Sequence, residues 1–296
     1  MLFRLDVSLD LVVCGHVNLL GPAWILACLT NSHLALIIHG IDAWQPSESI
    51  LNNWLAGRVD SLISVSQLSA DRFCRWSRTP KDKISNIPNC VDLSLFQPAS
   101  RDPTLVARYG LGKRRVIMTV GRLAEKERYK GFDEVINVLP RLVTLFPDIA
   151  YLIVGGGKDQ DRLQDKVKLL ELDRVVTFTG QISEAEKAAH YSLADLYVMP
   201  SSGEGFGIVY LEAAACGIPI IGSKIDGSRE ALRDGMLGVL VDPTNEEEVF
   251  ESIKSKLNKT AIRQRPLGIC YFSEAHFRER VNMWINRVLS SRTCRS

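Results

Sequence analysis

The chain has 296 residues, 46% hydrophobic and 24% charged, which describes a folded protein of about two domains and excludes a disordered or low-complexity polymer. Its 36 Lys and Arg against 34 Asp and Glu leave a net charge of +2, interspersed along the chain, so composition carries no footprint for nucleic acid. Seven scattered cysteines without a Cys-x-x-Cys pair argue against a disulfide scaffold or a thiolate zinc site and for a reducing compartment, the cytosol.

The N-terminal stretch, residues 1–10, places acids where a signal peptide needs its apolar core. No apolar run reaches the roughly 20 residues needed to span a bilayer, which leaves a soluble protein or one resting on a membrane surface. Short runs rich in Val and Ile then alternate with helical patterns, the signature of βαβ units and of parallel sheets covered on both faces. Strands are expected at 11–15, 34–39, 61–65 and 84–87 in a first block. A second block holds 116–121, 150–155, 175–180, 195–200, 218–222 and 238–241. Between the blocks, Pro98-Ala99-Ser100-Arg101-Asp102-Pro103 has the composition of a linker, dividing the chain into a domain at 1–98, a domain at 99–273 and a C-terminal helix at 274–296. The expected architecture is α/β, two doubly wound domains facing one another. A helix from Gly131 to Phe146 aligns Val135, Val138, Leu139 and Leu142 and should bend at Pro140, while Phe277, Val281, Trp284, Ile285 and Val288 stripe the last helix.

In open α/β sheets ligands bind at the carboxyl ends of strands, and the second block concentrates its chemistry there. The stretch Ser201-Ser202-Gly203-Glu204-Gly205-Phe206-Gly207 leads into an apolar helix bearing Glu212, so a glycine-rich turn with free N–H groups meets a helix N-terminus that favours anions. Glu212, flanked by apolar residues and Ala213-Ala214-Ala215, is a carboxylate that needs a buried partner. Upstream, Gly121-Arg122-Leu123 ends a strand and Lys130-Gly131-Phe132 opens a helix. A cation at that helix start opposes the dipole, and an anion held between Arg122 and Lys130 would offset it; a solvated mixed-charge loop is the plainer alternative.

Taken together, Gly121-Arg122-Leu123, Lys130-Gly131, Gly155-Gly156-Gly157, Glu204-Gly205-Phe206-Gly207 to Glu212-Ala213, and Gly217-Ile218-Pro219 resemble the donor domain of retaining glycosyltransferases of family four, whose fold is called GT-B. The resemblance implies a nucleotide-diphosphate sugar as donor substrate, no further cofactor and no metal. It implies a glycan, lipid-linked or small-molecule acceptor, in assembly of a cell-surface polysaccharide. Arg122, Lys130 and the backbone around Gly205, Phe206 and Gly207 would stabilise the leaving diphosphate. Glu204 would orient the sugar as a catalytic group, and Glu212 would accept from the ribose hydroxyls. His39, at the end of a strand in Ile37-Ile38-His39-Gly40, would contact the transferred sugar; without the resemblance a satisfied structural histidine is the better reading. The segment from Phe178 to Ser183 and the Gly227-Ser228 turn would choose the donor base.

Two patterns are set aside. Asp159-Gln160-Asp161 spells a metal-binding Asp-x-Asp but opens a helix, where acids are favourable without a ligand. The triple glycine lacks the spacing of a dinucleotide fingerprint. The family pattern also begins with a longer first domain and a glycine-rich loop. Neither is found in the residues before Pro98, so an incomplete first sheet with an exposed apolar face is expected. A non-catalytic nucleotide-sugar binding protein and an epimerase or phosphorylase on the same fold stand as alternatives.

Overall fold

The computed structural model describes residues 8–259 and 263–293; most of the N-terminal stretch, residues 1–7, and Cys294 lie outside the described residues. Contacts divide the chain into two units, Met1–Asn89 joined by Glu274–Ser296, and Cys90–Ser273.

The first unit holds four parallel strands in chain order, β1 (Leu11–Cys14), β2 (His33–Ile38), β3 (Ser61–Ser64) and β4 (Ile84–Asn86). Between them run α1 (Leu20–Thr30), α2 (Ile50–Ala56) and α3 (Gln67–Ser77). Local chemistry sets the helix ends. Ser49 and Ser66 accept from Asn52 N and Ser69 N as N-caps, and Asn31 closes α1 in the left-handed region. The strand period of two sorts the apolar side chains between the faces. Val12, Leu34, Leu36, Ile38 and Leu62 pack with Leu20, Leu55 and Phe73 of the three helices. Ala35, Ile37 and Ile63 instead pack with Ile87 and with Phe277, Val281, Trp284 and Val288 of the C-terminal helix Glu274–Thr293. The outer faces of α1 and α2 leave Trp24, Ile25, Leu26, Ile50, Leu51 and Trp54 exposed, with Trp24 and Trp54 in edge contact.

The second unit holds six parallel strands, β5 (Arg115–Val120), β6 (Ile149–Val154), β7 (Val176–Phe178), β8 (Leu196–Val198), β9 (Ile220–Ser223) and β10 (Val239–Val241). Their order, β10-β9-β8-β5-β6-β7, is doubly wound, and chain direction across the sheet reverses between β5 and β8. The connecting helices are α4 (Pro103–Arg108), α5 (Phe132–Leu145), α6 (Gln160–Leu169), α7 (Lys187–Tyr191), α8 (Ile208–Ala215), α9 (Ser228–Ala231) and α10 (Glu246–Leu257). α5 runs through Pro140 without interruption and joins α10 over one sheet face through Val135, Val138, Leu142, Val249 and Ile253.

The unit boundary falls at Asn89/Cys90, not at the expected linker near residue 98, and the physical reason is a strap. Val91 N donates to Phe272 O (2.9 Å), and Arg265 donates to Leu93 O (2.8 Å) and Phe96 O (2.7 Å), tying residues 91–96 to the second unit. The segment with linker composition begins a helix instead, with Asp102 capping Leu105 N ahead of Pro103 at the first helical turn.

Candidate functional site

The site grows from three loops that follow β5, β8 and β9, at the carboxyl ends of strands beside the reversal point. The first loop is held from below by the triple glycine. A Cβ at Gly155, whose φ is +131°, would stand 2.0 Å from Gly121 O, so only glycine lets β6 end this close to the turn that carries Arg122. Leu123 N then donates to Gly156 O (3.1 Å) and Asp159 N to Leu123 O (2.9 Å).

The first and second loops are joined at Tyr129 and Lys130. Ser202 N donates to Tyr129 O (2.8 Å), and Lys130 Nζ lies 3.2 Å from Glu204 Oε2 and 3.6 Å from Glu127 Oε2. Glu127 in turn pairs with Arg122, whose side chain is otherwise exposed. Glu127 Oε2 is buried without a hydrogen-bond partner. Lys130 therefore does not wait uncompensated at a helix start, as its sequence position suggested. Two carboxylates already surround it, because a half-buried ammonium requires opposite charge nearby. Burial and then the Glu127 and Glu204 carboxylates push the Tyr129 phenol well above its ordinary range, keeping it a neutral donor.

The second and third loops are joined by Asp226, which sequence reasoning did not single out. Its carboxylate accepts from Ser201 Oγ (2.6 Å), Glu204 N (2.8 Å) and Ser228 N (3.0 Å), while Gly227 N donates to Glu204 O (2.8 Å). A Cβ on Gly227 would stand 2.2 Å from Gly205 O. Burial pushes the Asp226 carboxyl above its usual range, partly offset by these donors. Ser228 is buried with its hydroxyl on Tyr210, which donates to Met199 O (2.7 Å), so this turn is locked rather than open. The only signal in the sequence was an aspartate before Gly-Ser after a strand, which reads as turn chemistry.

Gly207 (φ +89°) begins α8 with no side chain capping its N–H groups, leaving an anion-attracting helix end next to Gly205. Phe206 is turned inward against Phe272. Glu212 is 5% exposed, and its partners come from within the fold. Lys187 Nζ lies 3.3 Å from Oε1, and Tyr191 OH donates to Oε2 (2.8 Å). Burial works against the Lys187 charge, but Glu184 and Glu212 outweigh it and raise the ammonium above its usual value.

Arg122, Lys130, Gly205, Phe206, Gly207, Glu204 and Glu212 all belong to the second unit, the first six at the switch-point loops. His39 belongs to the first unit, where its Nε2 lies 3.0 Å from Gly15 O beyond the end of β2. Asp159 is not presented to a ligand; its carboxylate is buried and bound by Arg162 (2.6 Å) and Arg128 (2.9 Å). Among the described residues no group of three or more His, Cys, Asp and Glu is placed to hold a metal ion.

Residues 103–266 match the family model for glycosyl transferases group 1, and residues 2–95 match that for glycosyltransferase family 4. The GDP-mannose-dependent alpha-(1-6)-phosphatidylinositol monomannoside mannosyltransferase of Mycolicibacterium smegmatis is 36% identical over 206 residues, covering 66% of this chain and 52% of that protein. The glycogen synthase of Mycobacterium tuberculosis is 32% identical over 265 residues, covering 86% of this chain and 62% of that protein. This chain thus spans little more than half the length of such relatives. Among solved structures, Anabaena Alr3699/HepE in complex with UDP and glucose matches with a TM-score of 0.75 at 24% identity, over 95% of this chain and 78% of that one. Sucrose-phosphate synthase from Thermosynechococcus elongatus matches at 0.79 and 22% identity, over 95% and 74%. At these identities the likeness is one of fold.

Proposed function

Because the chain belongs to the glycosyl transferases group 1 family and has the two parallel α/β domains of the GT-B fold, we propose that it moves a sugar from a nucleoside-diphosphate sugar to a glycan, lipid-linked or small-molecule acceptor, with retention at the anomeric carbon. The observation that carries this reading is the joining of three strand-end loops at the switch point, which sets Lys130 against Glu204 just ahead of the uncapped start of α8, with Arg122 linked to them through Glu127.

In this reading the donor diphosphate brings the negative charge that Arg122 and Lys130 can take up. As the bond from the anomeric carbon to the phosphate oxygen breaks, charge grows on the leaving group. The two cations and the N–H groups around Gly205 to Gly207 stabilise that charge more than they stabilise the ground state. The ion pair between Lys130 and Glu204 then loosens, and Glu204 is released to accept from sugar hydroxyls and orient the reacting carbon. Glu212, held by Lys187 and Tyr191, retains acceptor capacity for the ribose. His39 contacts the transferred sugar. Metal is not required, since side-chain cations meet the diphosphate. We place the reaction in the cytoplasm, in cell-surface polysaccharide assembly and peripherally at the membrane when the acceptor is lipid-linked; no helix among the described residues is long and apolar enough to cross a bilayer.

The mannosyltransferase relative, named as GDP-mannose-dependent, makes GDP-mannose the first donor to assay, with UDP-glucose beside it. Glu204→Gln keeps the size of the side chain and should lower donor turnover by about 10²-fold, with donor binding changed only a few-fold. Unchanged turnover in that variant would sink the role assigned to Glu204.

A further inference from the structure

A cavity of about 430 Å³ opens at the end of the second unit's sheet opposite the donor loops, where β5, β8 and β9 begin. Its rim is basic to a degree that the chain's net charge of +2 does not foreshadow: seven Lys and Arg side chains and one carboxylate line it. That carboxylate, Asp195, is already engaged by Arg101 and by Val116 N (2.8 Å). Arg115 is paired elsewhere, with Asp148 (3.0 Å). The remaining five, Lys113, Arg114, Lys256, Lys259 and Arg263, form no ion pair among the described residues. Arg114 and Arg263 donate only to backbone carbonyls, of Ile149 and Arg174 and of Ala99 and Ala194.

A structural explanation covers part of this. Lys256 and Lys259 sit at the carboxyl end of α10, where cations are favourable. It does not cover Lys113, which precedes β5, and the neutral carbonyls that hold Arg114 and Arg263 leave their charges without a counter-ion. Burial, opposed by the Asp195 carboxylate but joined by the Arg101 charge, holds the Arg263 guanidinium below the usual arginine range. Like charges gathered on several elements around one cavity repel, and a bound anion removes that cost. The volume exceeds what one phosphate needs, and the lining offers little apolar surface beyond Pro219 and Leu257.

We propose that this cavity is a binding site for a small ligand carrying two or more phosphate charges, separate from the donor loops. The two ends of β5, six residues long, stand about 17 Å apart, so the cavity is not an extension of the donor site. The same chemistry is offered by a soluble phosphorylated compound and by a phosphorylated lipid headgroup, and the test separates the two.

Inorganic pyrophosphate is titrated calorimetrically into the Arg122→Ala/Lys130→Ala chain, in which the donor-side cations are gone. Pyrophosphate should still bind, more weakly as salt rises, and adding Lys113→Glu and Lys256→Glu should weaken it at least about 10-fold. Lys168→Glu, on α6 beside Asp165, should leave it unchanged. In parallel, co-sedimentation with vesicles rich in cardiolipin, whose headgroup carries two phosphates, is measured for the same proteins. Vesicle binding lost on the two charge reversals assigns a headgroup as the source, and pyrophosphate binding alone assigns a soluble ligand. The milder Lys113→Gln/Lys256→Gln pair, checked by circular dichroism, covers the case in which charge reversal unfolds the protein. No binding of either probe, or binding that the Lys113 and Lys256 substitutions leave intact, overturns the proposal.

Discussion

Asp226 joins two of the three site loops, and removing its carboxylate is the sharpest structural test of how the site is held. In Asp226→Ala the N–H groups of Glu204 and Ser228 lose their acceptor, while Ser201 Oγ still has Ser228 Oγ (3.2 Å) and Tyr210 OH (3.3 Å) within reach. Two backbone donors left unsatisfied cost about 1–3 kcal/mol each. Against this stands the relief of removing a buried acid whose burial already disfavours its charge, so the net destabilisation should be about 2–4 kcal/mol. Asp226→Asn should recover part of it, since one amide oxygen replaces one of two acceptors. The pH dependence has a definite sign. Burial raises the folded-state pKa above 3.8, the ordinary aspartate value, so this group favours folding most strongly below 3.8, and that contribution is lost as pH rises through the folded value. The stability of wild type relative to Asp226→Asn should therefore decline on raising the pH from 3 upward. Urea unfolding of the three proteins across that range, with nucleotide titration alongside, measures both effects. An Asp226→Ala protein within about 0.5 kcal/mol of wild type that binds nucleotide equally well would refute the idea that this carboxylate organises the site.

Three further outcomes follow from individual contacts. Gly227→Ala drives a Cβ to within 2.2 Å of Gly205 O, so the loop must shift; nucleotide affinity should fall at least about 10-fold, measured by calorimetry, with a smaller loss of thermal stability. Asp133 is pulled down to about 2, burial opposing the shift but Arg162 and Lys166 outweighing it. Its contribution of about 1–2 kcal/mol should be present above pH 3.8 and lost as pH falls toward 2, and Asp133→Asn should flatten that part of the acid-unfolding curve. Glu212→Gln keeps the acceptor for Tyr191 but leaves Lys187 with only the exposed Glu184 beside it. Destabilisation of about 1–3 kcal/mol in urea unfolding is expected, partly restored by adding Lys187→Met.

The two sheets were legible because parallel strands buried on both faces are written as short Val and Ile runs, such as 116–120 and 149–154, and all ten expected strands are present. Several end a residue or two early, where glycine, proline or a polar residue takes the chain out of the ladder. The reversal point between β5 and β8 needs the pairing itself, which periodicity does not contain. The contact boundary at Asn89/Cys90 lies ahead of the expected linker because the strap at 91–96 is held by Arg265 and Phe272, far away in sequence, while the Pro-rich segment that looked like a linker caps a helix. At the site, the residue types were readable from the glycine turn and the Glu204 and Glu212 spacing, but their partners were not. Lys187 and Tyr191 lie 25 and 21 residues from Glu212, and Asp226 lies 22 residues from Glu204. Such pairs are products of tertiary packing and leave no local pattern.

The most direct test of the central claim is calorimetric titration of the full chain with GDP and UDP, without metal and then with Mn²⁺, beside Arg122→Ala/Lys130→Ala. One nucleotide should bind without metal, and the double substitution should weaken that binding by at least about 10-fold. Binding of neither nucleotide, or binding that survives the loss of both cations unchanged, would contradict that claim.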